Sequence, residues 1–77
     1  MKKWYNIELF EGYVTNKLTA FLKKEGIKYE VSDCTPVPKE VPRLLHFEVY
    51  VDEIDCITIN DRLDFWFENM DRMEVKK

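Results

Sequence analysis

Between residues 4 and 10 the side chains alternate, with Tyr5, Ile7 and Leu9 on one side and Asn6 and Glu8 on the other. A period of two predicts a strand. Trp4 and Phe10 share the polar side, so both faces of that strand are expected to be partly covered. Glu11-Gly12 interrupts the alternation. Over residues 13–25 the apolar positions become Val14, Leu18, Phe21 and Leu22. Those spacings predict a helix with a single buried stripe. Gly26 stands where a left-handed residue ends a helix, after Lys23 and Lys24 in the last turn. Alternation returns over residues 27–33, where Ile27, Tyr29 and Val31 oppose Lys28, Glu30 and Ser32, and a second strand is expected. Strand, helix and strand together suggest a βαβ unit.

Residues 34–42 hold Pro36, Pro38 and Pro42, which exclude helix and interior strand and favour an extended, semi-rigid loop. That loop reads as a connector or, more sharply, as a preformed docking edge. Residues 44–52 give the strongest strand, with Leu45, Phe47, Val49 and Val51 inward and Leu44, His46, Glu48 and Tyr50 on the other face. Asp52-Glu53 is then expected to turn, and the β-branched run 54–59 to return as a hairpin strand. A last helix is expected over 61–73, capped from Thr58, Asn60 or Asp61. Its buried stripe would be Leu63, Trp66, Phe67, Met70 and Met73.

The resulting order, β-α-β-β-β-α, predicts one α+β domain over residues 1–77, with a charged tail at 74–77. Two helices would cover one face of a mostly antiparallel sheet, forming a small sandwich. The order resembles a ferredoxin-like βαββαβ fold without its last strand. Seventy-seven residues bury only ~60–65% of the unfolded surface, so the core must be small. With 45% hydrophobic and 35% charged residues, the chain fits neither a disordered nor a membrane-embedded class. Met1-Lys2-Lys3 resembles the start of a signal peptide, but Asn6, Glu8 and Glu11 interrupt any apolar core, so a cytoplasmic location is expected.

The net charge of −3 conceals an uneven distribution. Residues 44–75 carry nine acids and two bases, whereas residues 1–43 carry eight bases and six acids. Asp61, Asp64, Glu68 and Asp71 follow helical spacing and form an acidic ridge beside the buried stripe. Phe65 falls off that stripe among polar neighbours, as an aromatic anchor would. Asp52, Glu53 and Asp55 of the expected hairpin turn would add to the same negative field. The ridge reads as a docking surface for a basic protein partner or as a solvated face. It disfavours direct binding to nucleic acid or to anionic membranes.

Catalytic parts are few. The chain has one histidine, His46, and two cysteines, Cys34 and Cys56, and no phosphate-binding glycine loop. A dyad of His46 with Cys34 or Cys56 stands against the commoner reading, in which lone Cys and His residues pack or sit exposed without catalytic duty. Asp52, Glu53 and Asp55 lack the spacing of a calcium loop, and no zinc-type spacing occurs. No metal or cofactor is expected. A Cys34–Cys56 disulfide is conceivable, with two free thiols the default in a reducing compartment. The α-β-β-β-α order matches that of a double-stranded-RNA-binding domain, but Asp61 and Asp64 occupy the place of its basic helix start. The strand aromatics lack an RNP pattern.

The leading expectation is therefore a non-enzymatic protein-binding module whose acidic surface docks on a basic, nucleic-acid-processing partner. In size and charge the chain is similar to small phage or mobile-element inhibitors of defence nucleases, the anti-CRISPR and anti-restriction proteins. That similarity implies an inhibitory role. The alternative is a homodimeric or small-ligand regulatory module, with Trp4, Phe10, Leu44, His46 and Tyr50 as the dimer face.

Overall fold

In the computed structural model the elements run β1 (Lys3–Phe10), α1 (Tyr13–Glu25), β2 (Lys28–Asp33), β3 (Leu44–Val51) and α2 (Glu53–Val75). The structure describes residues 1–37 and 41–75, with side chains through Asn69. It is a small α+β domain with a three-stranded antiparallel sheet ordered β1-β3-β2. β1 pairs with β3 from Lys3↔Val51 to Phe10↔Leu44, and β2 pairs with β3 from Lys28↔Tyr50 to Asp33↔Leu45. The strands flanking α1 in sequence are thus not neighbours, because β3 lies between them.

The alternation in each strand decides which side chains meet the helices. Phe47, Val49 and Val51 of β3 and Leu9 of β1 are buried, with Tyr5, Ile7, Tyr29 and Leu45 packed against them. Val14, Leu18 and Leu22 of α1 and Ile59, Leu63 and Trp66 of α2 complete the same core. Both helices therefore lie on one side of the sheet. Phe21 meets Trp66 edge-on at 6.0 Å, which joins the two helices directly.

Local chemistry fixes both ends of α1. The Gly12 N–H donates to Thr15 Oγ1 (2.8 Å), and that hydroxyl donates back to the Gly12 carbonyl (2.9 Å). Gly12 has φ 156° and ψ −147°, a conformation open essentially to glycine alone. At the other end Gly26 is left-handed at φ 68°. Its N–H bonds the Lys23 carbonyl while the Ile27 N–H bonds that of Leu22. This is the paired closure of a Schellman motif, and it places Ile27 against the core beside Leu22.

The second half of the chain departs from the sequence expectation. Residues 54–59 form no hairpin strand: α2 begins at Glu53, eight residues before the expected 61, and the order is β-α-β-β-α. Asp52-Glu53 is not a turn between strands. Asp52 caps the helix, its Oδ1 accepting the Asp55 N–H at 2.9 Å and its carbonyl accepting the Cys56 N–H at 3.0 Å. Glu53 and Asp55 in the first turn favour this start, since carboxylates stabilise the positive end of a helix. The tertiary reason lies in the core. Cys56, Ile59, Leu63 and Trp66, spaced three, four and three, all face inward, whereas a strand would have brought Ile57 and Ile59 to one side and Ile54 and Cys56 to the other.

Two further corrections concern the far end of that helix. Phe67 is not core but 40% exposed. Residues 74 and 75, assigned to a tail, lie within α2. The side chains of Met70, Asp71 and Met73 lie outside the described residues.

Candidate functional site

With α2 starting at Glu53, one regular surface runs along the outside of the molecule. Glu53, Ile57, Asp61, Asp64 and Glu68 follow steps of four, four, three and four, and Ile54 and Phe65 flank them on the same face. All seven are exposed. Ile54 is 74%, Ile57 56% and Phe65 51% accessible. Residues with this much apolar surface in the open, set among carboxylates, make an amphipathic strip of a kind a partner can desolvate.

Three acids of the strip, Glu53, Asp61 and Asp64, have no ion-pair partner among the described residues. Ion pairs join Arg43 to Glu11 and Asp33, and His46 Nδ1 lies near Glu8 Oε2. None of them involves Glu53, Asp61 or Asp64. Arg62 falls on a different flank, shared with Asp55 and Thr58, and those two line a crevice with Phe21, Glu25 and Ile27. Asp55 therefore faces α1 rather than the ridge, and Asp52 is engaged as the cap. Of the acids expected to act together, Glu53, Asp61, Asp64 and Glu68 share one face, and Asp52 and Asp55 do not. The expected anchor, Phe65, stands on that face. The sequence missed Ile54 and Ile57, because a strand reading divided them between two sheet faces; the Asp52-x-x-Asp55 capping signature was the available clue.

The sheet's other face is uncovered by either helix, and it carries the second expected group. Trp4, Phe10, Leu44, His46 and Tyr50 all project there, as the pairing register requires. Trp4 opposes Tyr50 with ring centroids 5.1 Å apart and tilted by 44°. Lys28 from the next strand reaches within 5.8 Å of the Trp4 ring. His46 Nδ1 lies 3.4 Å from Glu8 Oε2. Cys56 packs toward the core, so the sheet separates it from His46. Both cysteines are free thiols.

A further concavity of about 350 Å³ lies where β1 meets α1. It is lined mainly by Leu9, Phe10, Tyr13, Val14, Pro42 and Phe67. Sequence reasoning missed it because its walls come from three separate segments.

Beside it the chain is clasped at the base of the proline-bearing loop. Arg43 Nη2 bonds Glu11 Oε2 at 3.0 Å, and its Nη1 lies 3.5 Å from Asp33 Oδ2. The Thr35 hydroxyl donates to Asp33 Oδ1 and accepts the Leu44 N–H (3.0 Å), while the Cys34 N–H donates to the Leu44 carbonyl (2.9 Å). The hydrogen bonds from Thr35, with Arg43 nearby, hold the Asp33 carboxyl below its ordinary range. Glu11 and Asp33 raise the Arg43 guanidinium.

Among the described residues no cluster of His, Cys, Asp and Glu could hold a metal ion, and no helix is long and apolar enough to cross a membrane. No family model, curated protein or solved structure matches the chain.

Proposed function

We propose that the protein is a non-enzymatic binding module that docks the outward face of α2 on a basic partner protein. The observation that carries this reading is the acidic set Glu53, Asp61 and Asp64, without ion-pair partners among the described residues and interleaved with exposed Ile54, Ile57 and Phe65. Long-range attraction would speed encounter, and the isoleucines and Phe65 would supply desolvated contact area. A nucleic-acid-processing enzyme is the partner class that best suits such a surface, because its own groove is basic. The protein would then act in the cytoplasm as an inhibitor of the phage or mobile-element kind. The β-α-β-β-α order with β3 central supports a ferredoxin-like fold without its last strand.

Affinity capture from a cognate lysate tests the reading. Wild-type protein is expected to retain a basic partner at low salt and release it at high salt. Asp61→Lys/Asp64→Lys and Phe65→Ala should each abolish retention while leaving the thermal melt unchanged. Retention that survives both changes refutes the reading.

A second reading, a homodimeric or small-ligand regulatory module, is favoured by the uncovered sheet face with its Trp4–Tyr50 ring pair.

A further inference from the structure

Among the described residues the strand order leaves β1 with one neighbour, so half of its backbone donors and acceptors face outward along an eight-residue edge. The opposite edge, β2, is shorter and bears Lys28, Glu30 and Asp33. β1 is the more apolar edge, and its exposed side chains include Trp4 (43%) and Phe10 (66%).

We propose that two copies of this chain pair antiparallel through β1, with Ile7 facing Ile7 of the second copy, to form one continuous six-stranded sheet. A symmetric antiparallel pairing keeps core face with core face only if the paired residue numbers add to an even value, because side chains alternate with period two. Three central registers satisfy this. In one, Glu8 opposes Glu8 of the second copy, two like charges face to face. In another, Trp4 meets Glu8 and Lys3 meets Leu9. In the register centred on Ile7 every pair is compatible: Lys3 with Glu11, Trp4 with Phe10, Tyr5 with Leu9, and Asn6 with Glu8. Glu11 is placed for this, because its N–H donates to the Arg43 carbonyl at 2.7 Å and so extends the β1–β3 ladder by one residue. Lys3 and Glu11 are both exposed, and the Glu11 side chain, held by Arg43 at 3.0 Å, keeps 42% of its surface accessible. The symmetry makes the interface isologous, so each complementary pair occurs twice. The uncovered faces of the two sheets merge on one side, where Phe10 of each copy joins the Trp4 of the other.

This interface is independent of the α2 strip, and it is an edge rather than the open sheet face. Sedimentation or light scattering across about 1 to 100 µM, a range that brackets a micromolar dimer, tests it. Wild-type protein is expected to dimerise as concentration rises. Lys3→Glu and Glu11→Lys, which put like charges opposite each other twice, should each weaken the dimer roughly tenfold or more. An equimolar mixture of the two variants should recover a heterodimer, because every opposed pair is again of opposite sign. Lys24→Glu on α1 should change nothing, and far-UV circular dichroism monitors folding of each variant. A wild-type monomer throughout the range overturns the proposal. So does a dimer that ignores both charge changes, or one lost instead through Tyr50→Lys on the open face. Failure of the mixture to pair when the single variants are folded also overturns it.

Discussion

The two helices share a core and differ in everything outside it. α1 is closed by the Thr15 hydroxyl at one end and by left-handed Gly26 at the other, and it buries Val14, Thr15, Leu18 and Leu22, leaving its outer side to residues such as Asn16, Lys17 and Lys24. α2 sends Ile59, Leu63 and Trp66 into that core, yet it also presents Ile54, Ile57 and Phe65 to solvent between carboxylates. A helix that only completes a fold needs one apolar stripe. A second one costs solubility and contributes nothing to the core, and it is the surface on which the proposed docking rests.

The largest effect that could break this contrast comes from the core. Leu18→Ala should destabilise the protein by about 2–5 kcal/mol, since Leu18 is fully buried. Ile57→Ala should change stability by less than about 0.5 kcal/mol. Denaturant titration compares them, and a similar loss for both would make the outer stripe of α2 structural after all. Next come the termini. Asp52→Ala should cost about 1 kcal/mol by removing the acceptor for the Asp55 N–H. Asp61→Ala, at a position expected from sequence to start the helix, should cost nothing, because Asp61 is interior to α2, where alanine is the better helix former and loss of a like charge relieves repulsion. Equal losses would place the helix start near Asp61 instead.

Charge reversal sharpens the contrast further. Asp61→Lys/Asp64→Lys should leave the melting temperature nearly unaltered at physiological salt, or raise it slightly by relieving repulsion along the ridge. A clear drop would mean those carboxylates support the fold. The smallest effect lies outside both helices. The Asp33 carboxyl is held low chiefly by Thr35, so its contribution is present above the ordinary carboxylate range and is lost as pH falls through the lowered value. Thr35→Val should therefore be less stable than wild type near neutrality, with the difference narrowing in acid. A difference that widens in acid contradicts that coupling.

How far the fold could be read from sequence also divides between these regions. β1, α1 and β3 were legible because each carries one clean period and a physical stop: Glu11-Gly12 after the first strand, left-handed Gly26 after the helix, Asp52 after the third. The run 54–59 was not, because Ile54, Ile57, Thr58 and Ile59 are β-branched and favour strands locally. Burial of Ile59, Leu63 and Trp66 at helical spacing, with Cys56 packed against them, overrides that preference, and only the fold supplies it. The acidic ridge was visible as a charge pattern. Its membership was not, because Asp55 turns toward α1 and Asp52 is consumed as a cap. The aromatics of the open sheet face followed from alternation alone.

The clasp at Asp33, Thr35, Arg43 and Leu44 has a practical consequence. It ties together the points where the polypeptide leaves β2 and enters β3, so a stretch inserted between those two points starts and ends at a closed neck. Lengthening such a stretch costs mainly ring-closure entropy, about 0.6 kcal/mol for each doubling. A reporter peptide grafted there would ride on the domain without disturbing its sheet, and would give the protein a handle remote from the outer face of α2.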